Sequence, residues 1–371
     1  MYFGWDVAEL DSLPRRRFAR SLGDEPIGVA VVGYGYWGPN LARNVAESSD
    51  MRLHALCERD AARGAAFAQR FPGVPVRQEL DEVLADPGVD AVLIATPPAT
   101  HHALVKRALQ AGKHVLVEKP LATTTADAED LVEIAEREDL VLMPGHTFVY
   151  SPAVNTVRSL ITDGTVGEIY FVTSARMNLG KYQRDGVVMD LAPHDLSILM
   201  YWLDEPVVQV ATSACAVFQE GVPETAFMTL TFASGTRANI QVSWLAPRKV
   251  RQMVVVGSNR MIQYDDTASD EPIRIYDRGM DMDAGGAPAN FGEYQLTYRS
   301  GDVVIPRIDA HEPLSLELAD FAHSIRTGAT PRSNAALGLE IVSVLEAADA
   351  SMRRNGQPIA LQPASRTQIA A

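Results

Sequence analysis

Four sets of residues have the types and spacing to do chemistry. The first is Gly33-Tyr34-Gly35-Tyr36-Trp37-Gly38. A GxGxxG run between a strand and a helix lets the chain turn tightly, brings backbone amides close to a pyrophosphate, and packs the helix against the strand. Free N–H groups and the helix dipole then favour an anion there. The second is Glu58, 25 residues after Gly33 and so near the interval of about 20 expected for a ribose-binding acid. A carboxylate at that point accepts hydrogen bonds from both adenosine ribose hydroxyls and repels a 2′-phosphate, which favours NAD. Its neighbour Arg59 can stack on adenine or pair with a phosphate, so NADP stays open.

The third set is Val117-Glu118-Lys119-Pro120, which ends an apolar run. Pro120 holds Lys119 extended, and the end of a strand is where ligands bind in open α/β sheets. An ammonium there can polarise a reacting oxygen. The fourth is Asp190 and His194, four residues apart in Met189-Asp190-Leu191-Ala192-Pro193-His194-Asp195. If Asp190 caps a helix, Pro193 falls in the first turn and His194 projects from the same end. The helix N-terminus would keep His194 neutral and able to take a proton, while Asp195 would push the other way. His146, Asp190, His194 and Asp195 fit no known metal-ligand spacing well, and hydride transfer needs no metal, so none is expected.

The surrounding elements must position these groups. Between Ile27 and Met143, apolar β-branched runs (Ile27–Val32, Arg52–Cys57, Ala91–Ala95, His114–Val117, Val141–Met143) alternate with helical stretches at 41–47, 61–71, 80–85, 102–110 and 126–138. That alternation predicts βαβ units and a parallel sheet over residues 26–145, a doubly wound α/β domain of Rossmann type. Ala153–Asp163 reads as a bridging helix. Beyond it, Ile169–Met177, Val207–Phe218, Ala226–Phe232, Arg237–Trp244, Gln252–Val256 and Met261–Tyr264 read as strands, several alternating in period two. Residues 146–355 are therefore expected to form an α+β domain with a large, mostly antiparallel open sheet. Asp265–Gly292 reads as a loop or irregular hairpin, and helices are expected at 314–327 and 335–354. Residues 1–25 read as an N-terminal arm, helical from Val7 to Phe18, and 356–371 as a C-terminal tail.

Composition narrows the function classes. The formal charge is −14, which repels nucleic acid despite the triplet Arg15-Arg16-Arg17. No apolar run has the length of a membrane span, and no apolar core of a signal peptide leads the chain, so a soluble cytoplasmic protein is the expectation. The two cysteines, Cys57 and Cys215, both lie in apolar runs and read as core residues, with no CxxC pair for a zinc site.

Taken with Ala95-Thr96-Pro97-Pro98 and His101, these motifs resemble the glucose–fructose oxidoreductase, inositol dehydrogenase and rhizopine-catabolism (Gfo/Idh/MocA) family. The resemblance runs from Ile27 to about Arg354. It implies a nicotinamide-dependent dehydrogenase or ketoreductase acting on a ring carbinol of a sugar or cyclitol. It also implies a homodimer or homotetramer formed through the C-terminal sheet. Lys119, Asp190 and His194 match the family's catalytic positions. The cofactor would lie on Gly33, Gly35, Tyr36, Trp37, Gly38, Glu58, Arg59, Thr96, Pro97, His101, Glu118 and Lys119.

Candidate substrate contacts are Lys119, Asp190 and His194, with Arg176, Asn178, Lys181 and Tyr182 from a polar run. That run, which also holds Arg184, suits an anionic substrate, and bidentate arginine pairing would serve a diphosphate. His146 and Tyr150 join the candidates because Gly145-His146-Thr147-Phe148-Val149-Tyr150 lacks the Asn-Arg pair many members carry. The Gly-Tyr-Trp-Gly-Pro-Asn and Asp-Leu-Ala-Pro-His-Asp runs look like members acting on sugar nucleotides. An inositol or aminocyclitol dehydrogenase is the alternative. A non-catalytic NAD-binding regulatory relative is the alternative from another class.

Overall fold

A computed structural model describes residues 25–180, 182, 185–282 and 296–362. The expected arm helix at Val7–Phe18, and Lys181 and Arg184, lie outside them. The chain divides into two compact units. Among the described residues, the first holds 25–150 with His311–Ser343, and the second Ser151–Ala310 with Val344–Leu361 and Gln362. The units therefore do not follow the contiguous ranges expected from sequence.

In the first unit, strands β1 (Ile27–Val32), β2 (Met51–Cys57), β3 (Val76–Arg77), β4 (Ala91–Ile94), β5 (His114–Glu118) and β6 (Leu142–Gly145) alternate with helices α1 (Gly38–Glu47), α2 (Ala61–Arg70), α3 (Leu80–Leu84), α4 (His101–Gln110) and α5 (Thr125–Arg137). All strands pair in parallel, in the order β3-β2-β1-β4-β5-β6. Every residue of β1 and β4 is buried, as expected where helices cover both faces of a sheet. Asp60 caps α2 by accepting from the Arg63 amide at 3.0 Å, and Thr124 caps α5 through the Asp127 amide at 3.1 Å. The strand order reverses between β1 and β4, and this switch point is where ligands bind in such sheets. Helix α8 (Pro313–Thr327) belongs to this unit and packs on α1 and on the 3-10 turn Thr147–Tyr150.

The second unit begins with α6 (Pro152–Thr162), β7 (Ile169–Met177) and α7 (Gly186–Leu203). Strands β8 (Val207–Cys215), β9 (Thr225–Phe232), β10 (Arg237–Ser243), β11 (Val250–Gly257), β12 (Met261–Asp265), β13 (Ile273–Met282) and β14 (Leu296–Val304) follow. Helix α9 (Ala335–Arg353) starts in the first unit and ends in the second, before β15 (Ile359–Ala360). The nine strands run β14-β13-β12-β11-β7-β10-β9-β8-β15, antiparallel except for β7 with β10. The period-two pattern is explicit in β9, where Ala226, Met228, Leu230 and Phe232 are buried and Phe227 and Thr229 exposed.

Two sequence expectations are corrected here and a third is sharpened. The stretch read as a loop or irregular hairpin at Asp265–Gly292 contains β13, which pairs antiparallel with β14 through an irregular register between Tyr276 and Arg278. The expected tail opens with an edge strand, Ile359 pairing Val210. Cys57 is buried, but Cys215 is exposed at the end of β8.

Candidate active site

The glycine loop leaves β1 and enters α1. Gly33 has φ +91°, and a Cβ there would lie 2.8 Å from the Ala95 carbonyl oxygen. A Cβ on Gly38 would lie 2.2 Å from the Gly33 carbonyl oxygen, so helix and turn can approach only without one. Gly35 is different: the nearest atom to its Cβ position is Arg63 Nη1 at 4.0 Å. Among the described residues nothing crowds a Cβ there, which would project into the open side of the loop. Among the described residues no side chain caps α1. Pro39 has no N–H and the Asn40 amide donates to the Trp37 carbonyl at 2.9 Å, which leaves the Gly38 amide and the helix dipole for an anion. Tyr36 (86% exposed) and Trp37 (37%) pack edge to face on the loop's outer side.

Glu58 follows β2 and binds the loop directly. Its Oε2 accepts from the Tyr34 amide at 2.6 Å and its Oε1 from the Asp60 amide at 2.9 Å. The carboxylate is thereby fixed beside the loop, with lone pairs left for ribose hydroxyls. Arg59 is exposed next to it. These residues fit a nicotinamide dinucleotide: a Cβ-free cradle, an uncapped helix start and an anchored ribose acid. Arg63, near Gly35, is a member of this group that sequence reading missed; it lies on α2, with no motif to mark it.

Lys119 follows β5, half-buried, ahead of a cis Lys119–Pro120 peptide bond. His101, expected to contact cofactor, is corrected to an internal tie. Its ring is fully buried, with Nδ1 2.7 Å from the Pro120 carbonyl oxygen and Nε2 2.9 Å from that of Thr96. It links the Thr96 turn to the peptide after Lys119. Burial, and secondarily the Lys119 ammonium, lower its pKa. Thr96 Oγ1 meets Thr100 Oγ1 at 2.7 Å, and Pro97 is exposed at the start of the next turn.

His146 and Tyr150, expected at the substrate, are each 1% exposed. The Tyr150 hydroxyl donates to Asp320 Oδ2 at 2.7 Å and accepts from the Ser333 amide at 3.0 Å. Its direct substrate contact is therefore corrected: it is a post joining the 3-10 turn to α8. Burial, with help from Lys119, pushes the His146 pKa down to about 3, so its imidazole is neutral at physiological pH. Glu118 is buried and its pKa is pushed up to about 7 by burial, against the pull of Lys119.

In the second unit, α7 carries Asp190 and His194 one turn apart on one face. Here two expectations fail. The helix starts at Gly186, so Asp190 is inside it rather than capping it, and Pro193 lies mid-helix. His194 is thus more than two turns from the N-terminus, where the dipole's effect has faded. The Gly186 start docks on Pro223, whose carbonyl accepts the Val187 amide at 3.0 Å. Asp195 does not oppose His194 as an unpaired anion: it is buried, accepting from Arg176 Nε at 2.6 Å and Ser174 Oγ at 2.7 Å. Arg176, expected in a substrate loop, is corrected to a buried residue of β7 that holds α7 through this pair.

Asp190 Oδ2 accepts from the Trp244 indole N–H at 3.0 Å. Trp244 ends the run read as a strand, but nothing in its local sequence links it to Asp190. Its ring also lies 5.5 Å from that of Tyr182, which is 40% exposed and donates to Gln219 Oε1 at 3.0 Å. Asn178 Oδ1 is buried near Gly180 without a partner among the described residues. No group of three His, Cys, Asp or Glu side chains gathers at metal-binding distance among the described residues. No described helix is long and apolar enough to cross a membrane.

A Rossmann-type sheet with a glycine loop at its switch point, a carboxylate anchored beside that loop and a lysine after a strand end fits a nicotinamide-dinucleotide oxidoreductase. Comparison with known proteins agrees. The oxidoreductase family with an NAD-binding Rossmann fold matches residues 27–146, and the Gfo/Idh/MocA C-terminal domain matches 154–263. The chain is 32% identical over 303 residues to UDP-N-acetylglucosamine 3-dehydrogenase of Acidithiobacillus ferrooxidans, covering 80% of this chain and 87% of that protein. It is 27% identical over 230 residues to dTDP-3,4-didehydro-2,6-dideoxy-alpha-D-glucose 3-reductase of Saccharopolyspora spinosa, covering 58% and 68%. A solved structure of the Acidithiobacillus enzyme superposes with a TM-score of 0.76 at 25% identity, covering 90% of this chain and 100% of that one. The chain belongs to the Gfo/Idh/MocA family of NAD-binding oxidoreductases.

Proposed function

We propose that this protein transfers hydride between NAD and a ring carbinol or ketone of a sugar nucleotide, in a 3-dehydrogenase or 3-ketoreductase reaction. The observation that carries the reading is that Lys119 stands at the end of β5 while Asp190 and His194 share one face of α7, on a chain similar along most of its length to a UDP-sugar 3-dehydrogenase. Bound NAD supplies the hydride acceptor. His194 takes the hydroxyl proton, Lys119 stabilises the developing oxyanion, and Asp190, held by Trp244, orients the reacting group. Asn178 and Tyr182 are the described polar-run residues that remain as substrate contacts. Their side chains differ from Arg176 in not being committed to an ion pair.

The same reading places the protein in the cytoplasm as a homodimer or homotetramer. Phe171 (44% exposed) and Phe227 (42%) lie on one uncovered face of the nine-stranded sheet, which suits a copy of the chain as partner. Sedimentation of wild type and of Phe171→Glu tests this, the variant shifting to monomer.

The decisive experiment is a panel of UDP- and dTDP-sugars and free inositols with NAD and NADP, followed by reduced-nicotinamide absorbance. Turnover of a nucleotide sugar with NAD, abolished in His194→Ala and Lys119→Met while NAD affinity is retained, is the expected outcome. Turnover only with a free inositol would replace the substrate class. Full activity in both variants would remove the assigned roles.

A further inference from the structure

Two buried carboxyl groups of the first unit flank one short segment and are given no proton- or hydride-transfer role in the proposed reaction. Glu118 is 8% exposed, and its Oε2 would lie 3.4 Å from a Cβ on Gly145. Glu317 reaches in from α8 and is 1% exposed. One of its oxygens accepts from the Thr147 hydroxyl at 2.7 Å, and the other, Oε1, is buried without a partner among the described residues. The segment Gly145-His146-Thr147 therefore meets one carboxyl at its first residue and the other at its last. Neither ring nitrogen of His146 between them is bonded among the described residues.

The charges near Glu317 do not favour an anion. Glu118 from β5, Asp320 on its own helix and the Tyr150 phenol act on it or feel it, and none is a cation. Lys119 acts on Glu118 and His146. Arg332 is turned to the Tyr150 ring, 5.1 Å from its centroid, and to the Val149 carbonyl. The Thr147 hydroxyl is the one neighbour named here that favours the carboxylate. A buried carboxylate without a paired cation escapes its desolvation cost by taking a proton.

We propose that Glu317 is kept as a neutral carboxylic acid beside Glu118, and that in this form it is a positioning residue for the Gly145–Thr147 turn and the Glu118–Lys119 segment. As a neutral acid it adds no second anion to compete with Glu118 for the Lys119 ammonium. It also keeps Thr147 anchored to α8. Burial first, and the Glu118 charge second, raise the Glu317 pKa well above the ordinary carboxyl range, in keeping with the geometry. Ionising Glu317 at alkaline pH would put two like charges in one dry site and loosen the turn.

Infrared difference spectroscopy of the full chain tests the protonation state without any assumption about the reaction. At about pH 8.5, above the range of Glu118, wild type should show the C=O stretching band of a protonated, dehydrated carboxylic acid, and Glu317→Gln should lack it. Absence of that band in wild type would overturn the proposal. If Glu317→Gln does not fold, Thr147→Val serves: losing the hydroxyl that favours the carboxylate should move disappearance of the band to higher pH, and an unmoved band would overturn the proposal. The positioning role rests on the assignment of Lys119 and is read by activity. The neutral isostere Glu317→Gln should keep kcat/KM within about threefold at neutral pH and lose the alkaline limb of the wild-type profile, while Glu317→Ala should lose at least about tenfold. A Glu317→Gln profile that keeps the wild-type alkaline limb would overturn that role. Failure of wild type on every panel substrate would count against the proposed reaction and leave the infrared result standing.

Discussion

The indole N–H of Trp244, the residue after β10, donates to Asp190 Oδ2 on α7 across 3.0 Å. Trp244 is buried, so this bond fixes Asp190 from a side that solvent does not reach. A hydrogen bond to a charged group contributes about 1.5–3 kcal/mol. Trp244→Phe keeps most of the ring's packing and removes the donor. We expect kcat to fall by about tenfold or more, with the Kd for NAD nearly unchanged because the cofactor loop lies in the other unit. Equal losses in kcat and NAD affinity, measured by steady-state kinetics and calorimetric titration, would show that Trp244 does not act through Asp190.

The glycine loop separates a folding requirement from a binding requirement. A Cβ at position 38 would collide with the Gly33 carbonyl oxygen at 2.2 Å, whereas one at position 35 has only Arg63 Nη1 near it, at 4.0 Å. Gly38→Ala should therefore lower the melting temperature by several degrees. Gly35→Ala should melt with wild type and weaken NAD binding by about tenfold or more, because its methyl occupies the anion's approach. A Gly35→Ala protein that binds NAD normally would show that the pyrophosphate does not approach at residue 35.

The contrast between these sites shows what a sequence can carry. The glycine loop, Glu58 and Lys119 are legible because each lies at the end of a strand whose neighbours in sequence are its neighbours in space. The Asp190–His194 pair was legible as a spacing, but its setting was not. Gly186 begins α7 by resting on Pro223, a long-range contact, and Pro193 is held inside the helix rather than marking its first turn. Arg176 looked like an exposed anion ligand because its partner, Asp195, is 19 residues away on another element. The inclusion of α8 in the first unit was invisible for the same reason. Tyr150–Asp320 and Thr147–Glu317 each span 170 residues, and nothing local in either segment signals the other.

Arg176 and Asp195 are 4% and 2% exposed in their side chains, so their pairing is a matter of stability rather than substrate affinity. Breaking a buried pair by removing one partner costs about 3–5 kcal/mol, because the other charge is left uncompensated. Arg176→Met should lower the thermal midpoint by several degrees. Joining it with Asp195→Asn should recover part of that loss, since the stranded anion is gone. A substrate-binding arginine would behave otherwise, with an unchanged midpoint and a raised KM for the nucleotide sugar.

Glu118 and His146 impose opposite pH dependences on the stability of the first unit. Burial raises the Glu118 pKa from 4.5 to about 7, so the folded state holds a proton that the unfolded chain has released. Its contribution is present below about pH 4.5 and is lost as pH rises to about 7, a change of about 3 kcal/mol at 1.36 kcal/mol per unit. His146 works in reverse: its pKa falls from 6.5 to about 3, so stability is lost as pH falls below 6.5. Between about pH 4.5 and 6.5 the two slopes oppose each other, and Glu317, held protonated in the fold, adds a slope of the same sign as that of Glu118, so the wild-type profile is the sum of all three. The variants separate them. Glu118→Gln, which does not ionise, should gain on wild type steadily from about pH 5 to pH 7 and hold that gain above it. His146→Gln should gain on wild type as pH falls below about 6.5. Thermal midpoints taken across this range in one buffer series read both effects. A constant offset between wild type and Glu118→Gln at every pH would mean that Glu118 titrates alike in the folded and unfolded chain, and that the site beside Lys119 is wetter than its burial implies.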